Sequence, residues 1–274
     1  MNIVNLPLEL ISQIIQHLKE DAASLQSCAL SSTSFVVHAQ RLLFSHIRLV
    51  DIPLFPSSGD RSLNDLRKLL KYSPHIGKYV KSLEVFIDSQ VLRNRPSLLG
   101  DLLLHLRNLE ALRFDCKLNA FAKSNMDVPS LQFALIQKAS SLPSLTSLDV
   151  KIVLPALSAI GLCRSLQSLT LRDNVPCVGS VPDKIPPTKN IPLQSLKILI
   201  ENSWGAQSVR STLLWLLDDT NPIKLSSLRQ LEIDGCNSST EHTDVWMALT
   251  QCADSLEEFG FYPAAECELG SSNL

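Results

Sequence analysis

The chain of 274 residues has 45% apolar and 19% charged residues, a balance that excludes an intrinsically disordered protein and suits one medium domain plus a small one. Its formal net charge of −2 supplies no electrostatic drive toward nucleic acid or an anionic membrane. No apolar run approaches the ~20 residues of a membrane span, and the amino terminus lacks the basic start and apolar run of a signal peptide.

The seven cysteines, at positions 28, 116, 163, 177, 236, 252 and 267, form no Cys-x-x-Cys pair, and no His stands at ligand spacing from two of them. Reduced thiols in the cytoplasm or nucleus are the expectation, with no metal and no cofactor.

The first predicted element is a helix opening at Leu6-Pro7. Pro7 suits a first turn because its ring pre-sets φ and its missing N–H is not needed there. Glu9 then complements the unsatisfied N–H groups of that turn. Leu10, Ile11, Ile14, Ile15 and Leu18 recur at helical spacing and form one broad apolar face. Asp21 can cap a second short helix carrying Leu25, Cys28 and Ala29. Ser31–Ser34 interrupts it with further capping side chains, and Phe35, Val36, Ala39, Leu42 and Leu43 make a third stripe.

Of residues 1–50, 26 are apolar and only six are charged, three acids against three bases. So short a unit buries little of its own surface, so part of this apolar surface requires a cover from elsewhere. A helix-turn-helix DNA reader would need a basic recognition helix, and the balanced charges argue against one. A cap on the larger domain and a docking module for a partner remain.

The pattern Leu6-Pro7-x-Glu9-Leu10, Ile14-Ile15-x-x-Leu18, Leu25, Cys28-Ala29-Leu30-Ser31, Phe35 and Leu43-Phe44 resembles an F-box of the type common in fungal proteins. Phe35 stands where many F-boxes carry a Trp, and it offers a smaller ring without the indole N–H. The resemblance implies docking on a SKP-family adaptor, and through it on a cullin, by Leu6, Pro7, Leu10, Ile11, Ile14, Leu18, Leu25, Cys28, Leu30 and Phe35.

Residues 51–60 hold two prolines, a glycine and two serines, and read as a linker between an F-box at 1–50 and a second domain at 61–274. A helix carrying Leu63, Leu66, Leu69 and Leu70 follows, and then Ser73-Pro74-His75-Ile76-Gly77-x-Tyr79-Val80, which also resembles the junction after fungal F-boxes.

From there one phrase recurs, two leucines three apart and an apolar residue two further on. It occurs at Leu109-x-x-Leu112-x-Phe114, Leu145-x-x-Leu148-x-Val150, Leu166-x-x-Leu169-x-Leu171, Leu193-x-x-Leu196-x-Ile198, Leu228-x-x-Leu231-x-Ile233 and Leu256-x-x-Phe259-x-Phe261, with a weaker copy at Val80-x-x-Leu83-x-Val85. The spacing of 21 to 36 residues brackets that of leucine-rich repeats, and Asn174 and Cys236 fall at their polar ladder position. Helical stripes lie between the copies, at Leu98–Leu106, Leu131–Ala139, Leu154–Leu162, Val209–Leu217 and Val245–Cys252. Residues 173–191, rich in proline, read as a long inserted loop.

The expected fold is therefore α plus α/β: three F-box helices, then a curved leucine-rich-repeat solenoid of parallel strands with outer helices. A doubly wound sheet is the alternative. Alternation along the strands turns Glu84, Phe86, Arg113, Asp149, Lys151, Thr170, Arg172, Lys197, Leu199, Glu232, Asp234 and Glu258 to the open face. Glu84, Arg113, Lys151, Arg172, Lys197, Glu232 and Asp234 are its candidate contacts for a protein substrate.

No phosphate-binding glycine loop, dinucleotide fingerprint or nucleophile elbow occurs. With the F-box resemblance, the expectation is a non-catalytic substrate receptor of a cullin-based (SCF-type) ubiquitin ligase. The alternative is a repeat scaffold or sensor that binds a partner without ubiquitination.

Overall fold

The computed structural model describes residues 7–51, 62–88, 96–117, 128–175, 190–199, 206–218, 221–236 and 239–263. Leu6, most of the linker, the proline-rich part of the 173–191 insertion and the C-terminal tail lie outside the described residues.

Three helices come first: α1 (Leu8–Gln16), α2 (Ala22–Ser31) and α3 (Thr33–Leu43). Pro7 sits just before α1, and its carbonyl accepts the Ile11 N–H at 3.1 Å. Asp21 caps α2 by accepting the Ser24 N–H at 3.0 Å, and Ser32 caps α3 by accepting the Ser34 N–H at 3.3 Å. α3 packs against both other helices. Ile11, Ile15, Leu25 and Ala39 form the core of this unit, with Leu18, Cys28, Phe35 and Leu42 packed around it.

An eight-stranded sheet follows, in spatial order identical to chain order and parallel throughout. Its strands are β1 (His46–Asp51), β2 (Ser82–Asp88), β3 (Ala111–Lys117), β4 (Ser147–Val153), β5 (Ser168–Val175), β6 (Ser195–Leu199), β7 (Gln230–Cys236) and β8 (Glu258–Pro263). Such an order has no point where the winding reverses, which excludes the doubly wound alternative. Sequential stacking of strand–helix units makes the fold solenoid-like.

The recurring phrase sets the register. Leu83, Leu112, Leu148, Leu169, Leu196, Leu231 and Phe259 pair in one continuous row, which Ile47 begins. A second regularity runs beside it. The carbonyl of Ser45 accepts the N–H groups of Lys81 and Ser82, and Lys81, Glu110, Thr146, Gln167, Gln194 and Arg229 repeat this for each next strand, all at 2.8–3.0 Å. Every unit therefore enters the sheet by the same hydrogen-bonded step.

The connections are α4 (Leu63–Tyr72), α5 (Pro96–His105), α6 (Val128–Ala139), a 3₁₀ helix at Leu154–Leu162, α7 (Ala206–Leu217) and α8 (Ser239–Cys252). Ser62 and Asp65 close a capping box at the start of α4. Neighbouring helices touch one another, forming a layer over the face of the sheet to which Leu83, Val85, Phe114, Val150, Leu171, Ile198 and Ile233 point, all of them buried.

One expectation is refined and one element is added. The helical stripe at 154–162 takes the 3₁₀ form. It crosses the shortest unit, 21 residues between Leu148 and Leu169, and the ~2.0 Å rise of a 3₁₀ helix returns the chain along the length of the strands with fewer residues than an α-helix. The strand β1 was not foreseen. Phe44-x-x-Ile47-x-Leu49 is an eighth copy of the phrase with Phe in its first place, and Phe44 packs on the sheet core. The sheet thus begins at His46, inside the first fifty residues assigned to the helical unit, and Asp51 of the linker closes its first strand.

Candidate functional site

Two surfaces stand out, one on the helical unit and one on the sheet. On α1 the single broad apolar face of the sequence divides. Ile11 and Ile15 are about 1% exposed and serve the internal core, whereas Leu10 and Ile14 remain 45% and 50% exposed. These two lie one turn apart, so they form a continuous apolar edge beside the core stripe. Leu8, Leu30 and Val37 are also exposed, Leu30 at 89%.

The candidate docking residues therefore fall into two groups. Pro7, Leu10, Ile14 and Leu30 are at the surface. Ile11 and Leu25 are buried inside the unit, and Leu18, Cys28 and Phe35 are half-buried against them. Leu6 lies outside the described residues. Leu8 and Val37, which the pattern did not single out, are exposed apolar residues of the same unit.

The unit has its own core but is tied to the sheet. Its last residues, Phe44 and Ser45, supply a side chain to the sheet core and the first carbonyl of the entry series. The Arg41 guanidinium stands 5.8 Å from the Tyr79 ring centroid, bracing α3 on the segment that leads into β2.

On the sheet, Arg48, Glu84, Arg113, Asp149, Thr170, Lys197, Glu232 and Gly260 form one row of the open face, and Phe86, Asp115, Lys151, Arg172 and Leu199 the next. All seven candidate substrate contacts belong to this face. The structure adds what one-dimensional reading lacked: along the first row signs alternate from Arg48 to Asp149 and again from Lys197 to Glu232, so these charges neutralise their neighbours, whereas Lys151 and Arg172 in the second row set two like charges side by side. Arg172 grips Asp149 with two hydrogen bonds, Nε to Oδ1 at 2.7 Å and a second nitrogen to Oδ2 at 3.0 Å, while Arg113 approaches the same carboxylate at 3.6 Å. Lys197 pairs with Glu232, and His46 and Arg48 both face Glu84.

Phe86 lies between two guanidiniums, Arg48 at 4.9 Å and Arg113 at 5.1 Å from its ring centroid. The carboxylates of Glu84 and Asp149 hold those arginines across it, so the aromatic is fixed by cation–π contacts on both sides. Arg48 escaped the sequence reading because its strand did. At the other end, Lys197, Gln230, Glu232, Glu258, Gly260 and Tyr262 line a cavity of about 230 Å³. Gly260 helps to open it, since a Cβ there would stand 3.3 Å from the Tyr262 ring.

Burial pushes the thiols of Cys116 and Cys163 up to about 12, which removes their nucleophilic form at neutral pH. Among the described residues no cluster of His, Cys, Asp and Glu could hold a metal ion, and no helix is long and apolar enough to cross a membrane. No protein-family model matches the chain, and no curated protein matches it either.

Proposed function

We propose that this protein is a substrate-recognition subunit of a cullin-based ubiquitin ligase, an F-box protein whose second part is a leucine-rich-repeat domain. The helical unit docks on a SKP-family adaptor, and the open sheet face holds a protein target. The observation that carries the reading is the division of α1: a small unit with a complete core of its own leaves Leu10 and Ile14 uncovered, beside a sheet that does not cover them.

The mechanism is positioning. Binding a target on one part of a chain whose other part is anchored to the ligase raises the local concentration of target lysines near the ubiquitin-carrying enzyme. The repeat domain recognises its target by shape and paired polar groups more than by net charge, because most charges of the first row are already matched across the strands.

The test is co-purification of the full chain with a SKP-family adaptor. Wild type is expected to form the complex. Leu10→Asp and Ile14→Asp are expected to abolish it, since a desolvated unpaired carboxylate costs several kcal/mol at an apolar contact. Failure of the wild type to bind would remove the ligase reading, and undiminished binding by both variants would remove α1 as the docking element.

A further inference from the structure

The sheet ends on β8 with its last core layer open. At the row where the other strands bury Ile or Leu, Phe259 is 46% exposed, and Phe261 stacks on it with centroids 6.3 Å apart. Among the described residues the backbone of this edge is open as well. Because the Glu258 N–H points to the carbonyl of Arg229, the residue before β7, alternation along a strand turns the N–H and C=O groups of Phe259 and Phe261 to the outer edge. A terminal unit of a stacked fold needs a cap, and a flat aromatic edge strand is a template for another strand.

We propose that a second copy of this chain covers this edge, β8 pairing antiparallel with β8 about a two-fold axis through Gly260. The strand is complementary to itself in that register. Phe259 falls opposite the partner's Phe261 as a hydrogen-bonded pair, on the core side. Glu258 falls opposite the partner's Tyr262 on the open side, where the phenol O–H can donate to the carboxylate. Gly260 meets Gly260 at the closest approach, where no side chains collide. Shifting the register toward the C-terminus would bring Pro263, which has no N–H, into a position that must donate. The two-fold arrangement closes at a dimer, whereas β8 adding to β1 of another copy would propagate without end. Neither arrangement depends on the adaptor reading.

Sedimentation velocity of the full chain at low salt tests this. Wild type is expected to be a reversible dimer. Glu258 is exposed and Tyr262 is 56% exposed, so charges can be exchanged there without disturbing the fold. Tyr262→Lys should tighten the dimer by placing Lys opposite Glu258. Glu258→Lys with Tyr262→Lys should weaken it about tenfold relative to that single variant, by setting like charges opposite each other twice. A wild type that stays monomeric overturns the proposal, and so does one that dimerises only after removal of residues 264–274, which would make the tail the cover. Open-ended polymers, or a dimer indifferent to both variants, overturn it equally.

Discussion

Leu10 and Ile11 are adjacent in sequence and opposite in consequence. Ile11 fills the small core, so Ile11→Ala should cost about 2–5 kcal/mol through lost burial and the cavity left behind. Leu10→Asp removes an exposed side chain and should move the melting temperature little. Thermal denaturation of the two variants separates the packing role from the proposed docking role. Capping residues carry a second expectation. Hydrogen bonds from the Ser24 side chain and backbone N–H hold the Asp21 carboxyl below its usual value of 3.8. Its folded form is then favoured when ionised, so its contribution is present above pH ~3.8 and fades as pH falls through the lower folded value. An NMR titration should place the Asp21 midpoint below 3.8 in the wild type and return it toward 3.8 in Ser24→Ala.

Elements here are built from repeated entries, and close approaches between them constrain single positions. Gly77 lies in the 3₁₀ turn before β2, and a Cβ there would come 2.4 Å from the His105 carbonyl oxygen at the end of α5. Gly77→Ala should therefore destabilise the chain by about 1–3 kcal/mol, measured by denaturant unfolding, because backbone must shift to admit the methyl. Much of this architecture was legible in the sequence. The phrase of leucines located seven of the strands and their register, since each inward position repeats the same burial. The cap at Asp21 and the capping run Ser31–Ser34 located the helix boundaries, and the structure picks Ser32 from that run. Strand β1 was not legible because Phe44 replaces the usual Leu and the strand follows α3 almost at once. The 3₁₀ form of 154–162 was not legible either, because a nearly continuous apolar run has no periodicity to separate the two helix types. At the candidate site, helical spacing gathered Leu10, Ile11, Ile14 and Ile15 on one face, yet which part of a wide apolar stripe turns inward depends on how α3 packs. The charge pairing of the open face likewise required the strands to be set side by side.

At the scale of the molecule, the described residues form two hydrophobic cores: a small one among α1, α2 and α3, and a large one between the sheet and its helices. Hydrogen exchange on Ile15→Ala should show accelerated exchange in α1–α3 with protection retained in β2–β7, because the two cores open separately. The proposed function gives this division a sense. An anchored module can hold one partner while the sheet face holds another, and the segment from Phe44 to Ser45, which belongs to both, fixes their relation. The claim that α1 is the anchoring element is tested most directly by isothermal titration of the purified full chain with a purified SKP-family adaptor, comparing wild type with Ile14→Asp. The account predicts a one-to-one complex for the wild type and no measurable heat of binding for the variant. Absence of binding by a folded wild type, or equal affinity of the two, would contradict it.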